Sequence, residues 1–146
     1  MKGSEVKMKT IKVLGVIFLL GITVYFGNLE IKKVNTEQEN RAKAEALVFE
    51  TTTRAINRTN YDTFKVVAGP KGQVTWNTSQ HPTNPSPNIY IVQVVITRQI
   101  ESGKEEIRMQ YHVNIRTEDI NLGGVEIDGE LASRDETREW LRGRLK

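Results

Sequence analysis

The chain has 146 residues, 21 Lys and Arg against 18 Asp and Glu, and no cysteine. Without cysteine there is no disulfide, no thiolate metal site and no lipid-modified cysteine, and the length leaves room for one small domain. The formal charge of +3 resides in residues 1–12: four of the 21 bases (Lys2, Lys7, Lys9, Lys12) and one of the 18 acids (Glu5) lie there, leaving 17 of each beyond. That balance removes the basic excess a nucleic-acid surface needs.

Residues 13–29 carry no charge and are bounded by Lys12 and Glu30. As a helix this stretch is about 25 Å long, against a hydrocarbon core of roughly 30 Å. Lys12, Lys32 and Lys33 can extend their ammonium groups to the interface and make up the difference. Thr23, Val24, Tyr25 and Phe26 put bulk where a signal peptidase needs small residues, and no polar face recurs before Phe26. An uncleaved signal anchor is therefore expected, in preference to a cleaved signal or a soluble core helix. The expected layout is a cytoplasmic tail over 1–12, a single transmembrane helix over 13–29, and an extracytoplasmic domain over 30–146. The basic tail stays inside, while a long domain translocates largely regardless of its charge.

Thr36-x-x-Glu39 reads as a capping box opening a second helix. Ala42, Ala46, Phe49, Thr53 and Ile56 form its apolar stripe, widened by Leu47 and Val48, and Asn60 ends it. Residues 28–35 are either continuous helix or a hinge. Residues 61–68 alternate with Phe64, Val66 and Ala68 inward, a strand; Gly69-Pro70-Lys71-Gly72 is turn chemistry, and 73–78 is the returning strand with Val74 and Trp76 on the core face. Three prolines in 79–88 make that segment a surface loop.

Residues 88–100 are apolar on both faces, as a central strand covered on both sides near its start would be. Ser102-Gly103 turns the chain. The return alternates cleanly, with Ile107, Met109, Tyr111, Val113 and Ile115 inward and Glu106, Arg108, Gln110, His112, Asn114 and Arg116 outward. Gly123-Gly124 leads a last short strand with Val125 and Ile127, ended at Asp128-Gly129. Ser133 or Asp135 caps a final helix, Ser133-x-x-Glu136 being a second capping box, with Trp140, Leu141 and Leu145 on its apolar edge and Arg138, Arg142, Arg144 and Lys146 in its second half.

His81 lies in the proline loop and His112 on the polar sheet face, neither with a ligand partner at motif spacing. Glu118-Asp119 is a carboxylate pair in a turn, where acids serve the backbone. There is no nucleophile elbow, phosphate loop or dinucleotide fingerprint. No catalytic, cofactor-binding or metal residue is assigned, no cofactor is expected, and the chain is not expected to be an enzyme.

These elements compose an α+β domain: a helix packed on a curved antiparallel sheet of four or five strands, with a short C-terminal helix. The outline resembles the small membrane-anchored domains with cystatin-like or nuclear-transport-factor-like folds, such as the anchored subunits of conjugation machines. The resemblance is one of element order and carries no residue across. The expected function is that of a structural or protein-interaction module in a cell-envelope assembly of the secretion or conjugation type. Its partners would be the membrane and other envelope proteins or further copies of itself, and not nucleic acid. One alternative is a small-ligand or enzymatic pocket between helix and sheet, lined by Tyr111 and Trp76. Another is a pilin-like subunit, against which the apolar rod lacks the expected Glu and processing site.

Overall fold

A computed structural model describes the backbone of residues 2–53, 58–84, 86–133 and 135, and the side chains of 19–52, 58–84, 86–133 and 135. The chain divides into two units, residues 1–39 and 40–146.

The first unit is helical. It belongs to α1 (Lys2–Glu50), and the backbone of residues 28–35 is helix with no hinge. Leu19, Leu20, Val24, Tyr25, Phe26 and Ile31 are each at least 60% exposed. Thr36 does not cap a helix. Its N–H lies mid-helix and is already paired, so its hydroxyl donates instead to the Lys32 carbonyl at 2.9 Å. Thr23 does the same to Leu19 at 3.0 Å. Among the described residues, no helix is long and apolar enough to cross a membrane; the side chains of residues 13–18 lie outside that description.

In the second unit α1 ends at Glu50 rather than running to Asn60. Thr51 turns its hydroxyl back onto the Leu47 carbonyl. A two-residue ribbon follows, β1 (Thr52–Thr53) against β2 (Arg58–Thr59). The buried stripe of α1 is Ala44 and Val48, four apart, flanked by Leu47 and Phe49; Ala42 is exposed.

Residues 60–68 form α2 (Asn60–Ala68), a helix where the alternation predicts a strand. Thr59 caps it: its hydroxyl oxygen accepts the Asp62 N–H at 3.1 Å, and its hydroxyl lies 2.7 Å from the Asp62 carboxylate it donates to. The buried set is Thr63, Phe64, Val67 and Ala68, with Val66 46% exposed, so the spacing is helical and not two. Asn60 ties the helix start to α1 by donating from its side chain to the Val48 carbonyl at 2.9 Å. Gly69 ends α2 at φ +73, ψ −179, a conformation essentially closed to other residues.

The sheet is a five-stranded antiparallel meander: β3 (Gln73–Gln80), β4 (Ile89–Ile100), β5 (Gly103–Asn114), β6 (Asp119–Ile127) and β7 (Glu130–Leu131), in that spatial order. β3 therefore pairs with β4, Gln73 opposite Thr97 through Gln80 opposite Tyr90, and not with residues 61–68. Tyr90, Val92, Val94 and Ile96 of β4 and Ile107, Met109 and Val113 of β5 pack with Phe64, Val67, Ala44 and Val48 into the core. One end of this face is closed by Arg98, whose guanidinium donates to Glu105 directly opposite; their side chains are 13% and 10% exposed. The other face of β4 is not fully covered. Ile89, Ile91 and Val95 are half-buried there among polar cross-strand neighbours.

β6 is longer than the sequence suggests. Gly123-Gly124 does not open a strand but sits inside one, at a register shift opposite Gln110 and Tyr111. The final helix predicted from Ser133 onward falls outside the described residues, apart from Ser133 and Asp135 themselves.

Candidate functional site

The outer face of the sheet, away from the helices, concentrates the polar chemistry. Strand alternation puts Glu106, Arg108, Gln110, His112 and Asn114 there, and Arg116 follows in the exposed turn. Register places Ile91, His112 and Asn121 in one cross-strand row and Arg108 opposite Glu126 in another.

The proline loop folds back over this face. The His81 N–H donates to the Ile89 carbonyl at 3.0 Å, which brings the residue after β3 beside the start of β4. Its ring then lies 5.2 Å from that of His112, centroid to centroid. Nδ1 of His81 accepts the backbone N–H of Asn84 at 3.2 Å and of Thr83 at 3.4 Å. The Gln110 amide nitrogen stands 3.1 Å from His112 Nε2 and, in this orientation, donates to it. Gly123 makes room for that ring: a Cβ there would come within 2.5 Å of His112 Cδ2 and Nε2. The bulge in β6 thus seats the imidazole.

One ring nitrogen of each histidine is thus already engaged, Nδ1 of His81 by the loop N–H groups and Nε2 of His112 by Gln110. Metal ligation by the pair would break those bonds, and no cluster of three or more ligand-type side chains exists among the described residues. Beside the pair, a groove of about 190 Å³ is walled by Gln93, Arg108, Gln110, Gly124, Glu126 and Leu131. That is below the size of a typical small-molecule pocket. A wider trough of about 710 Å³ opens between the end of α2 and the end of β4, and its walls hold no hydroxyl, thiol or imidazole.

No family model, curated protein or solved structure matches this chain. Its site is therefore read from its own geometry.

The other weighed residues are dispersed. Glu118 pairs with Lys43 at 3.2 Å, while Asp119 accepts the Thr117 hydroxyl at 2.6 Å, so the two carboxylates serve separate local contacts. Tyr111 and Trp76 do lie between helices and sheet, but the space is filled by rings. Trp76 packs 4.9 Å from Phe49 and 6.4 Å from Tyr61, and Tyr111 packs 6.3 Å from Phe64. The Tyr111 hydroxyl donates to Met109 Sδ at 3.5 Å. Burial pushes its pKa up to about 12, so the phenol stays protonated at neutral pH and is not a base. Neither ring lines the two grooves above.

The proximity of His81 and His112 is the feature sequence reasoning misses. They are 31 positions apart with no motif between them. Extending the β3 alternation two residues past Ser79, which stands opposite Ile91, puts position 81 on the His112 face. That step requires the β3–β4 register, which the mistaken first hairpin conceals.

Proposed function

We propose that this chain is a single-pass membrane-anchored protein with its N-terminus cytoplasmic, whose α+β domain acts outside the membrane as a structural or protein-interaction module of a cell-envelope assembly. The observation that carries the anchor is the uncovered apolar surface of α1 beyond residue 18. Leu19, Leu20, Val24, Tyr25, Phe26 and Ile31 stand at least 60% exposed in an unbroken helix. At roughly 1.5–3 kcal/mol for each large apolar side chain moved out of water, immersing these six favours the bilayer by on the order of 10 kcal/mol. Thr23, a hydroxyl within the apolar run, is satisfied inside the helix by the Leu19 carbonyl, as a lipid-facing group must be. The uncharged run between Lys12 and Glu30 supplies the length.

The interaction role is supported by the outer sheet face. It offers amide, imidazole, guanidinium and carboxylate groups of mixed sign around a groove too small for most ligands. Such a surface orients a protein partner more than it binds a metabolite.

The absence of cysteine makes the topology directly testable. Single-cysteine chains Gly3→Cys and Thr117→Cys are expressed and probed with a membrane-impermeant maleimide. Thr117→Cys is expected to label on intact cells and Gly3→Cys only after lysis, with both chains sedimenting with membranes after carbonate washing. Recovery of the full-length chain in the carbonate supernatant refutes the anchor.

A further inference from the structure

The two edges of the sheet are built differently. One edge is guarded in the ways that sheets use to avoid pairing. β7 has two residues, the adjoining segment carries Glu126, Asp128 and Glu130, and β6 is bulged at Gly123. The other edge, β3, has none of these devices. Its eight residues, Gln73-Val74-Thr75-Trp76-Asn77-Thr78-Ser79-Gln80, contain no charge and no proline, and they pair with β4 in unbroken register. Among the described residues no backbone hydrogen bond reaches β3 from any strand except β4. Trp76 sits on this strand 44% exposed, at the margin of the Phe49–Tyr61 ring cluster.

We propose that β3 pairs antiparallel with β3 of a second copy of this chain, joining two five-stranded sheets across a two-fold axis. The choice of partner follows from the strand itself. An uncharged strand meets its own copy with no like charges opposed, and an antiparallel pair is the isologous arrangement that closes on itself. Keeping the core faces of both sheets on one side requires opposed residues to be in phase. The axis therefore passes through Trp76 or Asn77. The first places Thr75 opposite Asn77 of the copy; the second places Asn77 opposite itself. Either brings the exposed Trp76 edge against the copy and removes it from water. An eight-residue strand pair is less surface than a stable free dimer buries, so the contact gains from tethering both copies to one membrane. In that respect it rests on the anchor proposed above and names the partner for the interaction role.

Full-length chains carrying Asn77→Cys alone, or a mixture of Thr75→Cys and Asn77→Cys chains, are oxidised in membranes with copper phenanthroline and run without reductant. Both positions are exposed, so neither cysteine disturbs the core. The expected result is disulfide dimer from Asn77→Cys alone, or the mixed dimer from the pair, about tenfold above an exposed control, Gln99→Cys, as the raised local concentration at a specific contact implies. Adding Thr75→Lys to the Asn77→Cys chain is expected to cut the yield roughly tenfold, because an edge lysine blocks strand addition. Equal dimer from Gln99→Cys, no dimer from either arrangement, or indifference to Thr75→Lys overturns the proposal. Pellet and supernatant are assayed separately after carbonate washing: chain in the pellet that gives no dimer fails the pairing alone, and chain in the supernatant fails the anchor. Failure of the pairing and failure of the anchor are thus told apart.

Discussion

Gly72 is the tightest point of the fold. It follows the turn that begins at Gly69, where the chain doubles back over the end of α2 before entering β3. The Gly72 N–H donates to the Gly69 carbonyl at 3.2 Å, and the next residue, Gln73, is already opposite Thr97. A Cβ at position 72 would lie 2.5 Å from the Thr97 carbonyl oxygen, 2.6 Å from the Ala68 carbonyl carbon and closer still to the Ala68 oxygen. All three are backbone atoms, so no rotamer change can relieve the clash. Inserting a methylene into a packed core usually costs about 1–3 kcal/mol through side-chain shifts. Here the helix end or the β3–β4 ladder must move instead, and Gly72→Ala is expected to cost at least about 3 kcal/mol. At about 4–8 °C per kcal/mol for a domain near this size, the midpoint falls by roughly 12–24 °C. The control is Gly124→Ala, whose Cβ would meet only Leu131 Cδ1 at 3.7 Å; it is expected to stay within about 0.5 kcal/mol of the parent. Thermal unfolding of the detergent-solubilised chain, followed by near-ultraviolet circular dichroism, measures both. A Gly72→Ala midpoint within a few degrees of the parent would refute the close approach of α2, β3 and β4 on which the architecture depends.

Three further outcomes follow from particular groups. Among the described residues Thr78 Oγ1 is buried without a hydrogen-bond partner; Thr78→Val removes that desolvated hydroxyl at nearly constant shape and is expected to stabilise by about 1 kcal/mol in denaturant titrations, whereas a loss of stability would show that the hydroxyl is bonded. Tyr111 is held above its ordinary value of 10 at about 12 by burial. Between these values the unfolded chain has released the phenolic proton and the folded chain has not, so stability is full below pH 10 and declines as pH rises to 12, by up to roughly 3 kcal/mol. Tyr111→Phe is expected to remove that part of the alkaline slope, and an unchanged slope argues that the phenol is not desolvated. Gly123→Ala is expected to drive the His112 ring from its seat and to shift the resonances of both histidine rings, the two in the chain; unchanged spectra would show that the bulge does not position the imidazole.

The central hairpin of the sheet was legible because its return strand is long enough for a period of two to exclude every other period, while its first strand is a long β-branched apolar run. β5 alternates over twelve residues, and its inward set of Ile107, Met109, Tyr111 and Val113 lies on the core face as expected, with Ile115 buried just past its end. Continuing that alternation one step back also puts Glu105 inside, and hence Arg98 opposite it. Residues 60–68 are too short to decide between periods: Phe64, Val66 and Ala68 fit a strand, while Phe64, Val67 and Ala68 fit a helix. What decides is the N-cap: the Thr59 hydroxyl oxygen accepts the Asp62 N–H, the role that the reading at Thr36 gives to Thr36. At Thr36 the pattern is misleading because the preceding residues are themselves helical, leaving no free N–H to satisfy. A capping box informs only where something upstream breaks the helix, as the β1–β2 ribbon does before Thr59.

The outer face was legible in its polarity but not in its depth. Alternation tells which side of a strand a residue faces and nothing about what lies over it, so His112 reads as a solvated strand position. Three features change that, and the first two depend on long-range register. β3 pairs with β4 and delivers His81 to the same face, where the loop N–H groups of Thr83 and Asn84 fix its ring. β6 reaches past Gly123 as a bulged strand rather than starting there, which opens the space the His112 ring occupies. Gln110, two residues before His112 on the same face, then reaches its ring nitrogen. The same register decides the edges. Once β3 is recognised as the first strand of the meander rather than the second strand of a hairpin, its uncharged sequence becomes the outer margin of the sheet. A strand with Val74, Thr75 and Trp76 and no lysine or proline is ordinary in the interior of a sheet. At an edge it leaves a row of backbone donors and acceptors open to pairing, and the acidic, two-residue opposite margin shows how the same sheet closes an edge.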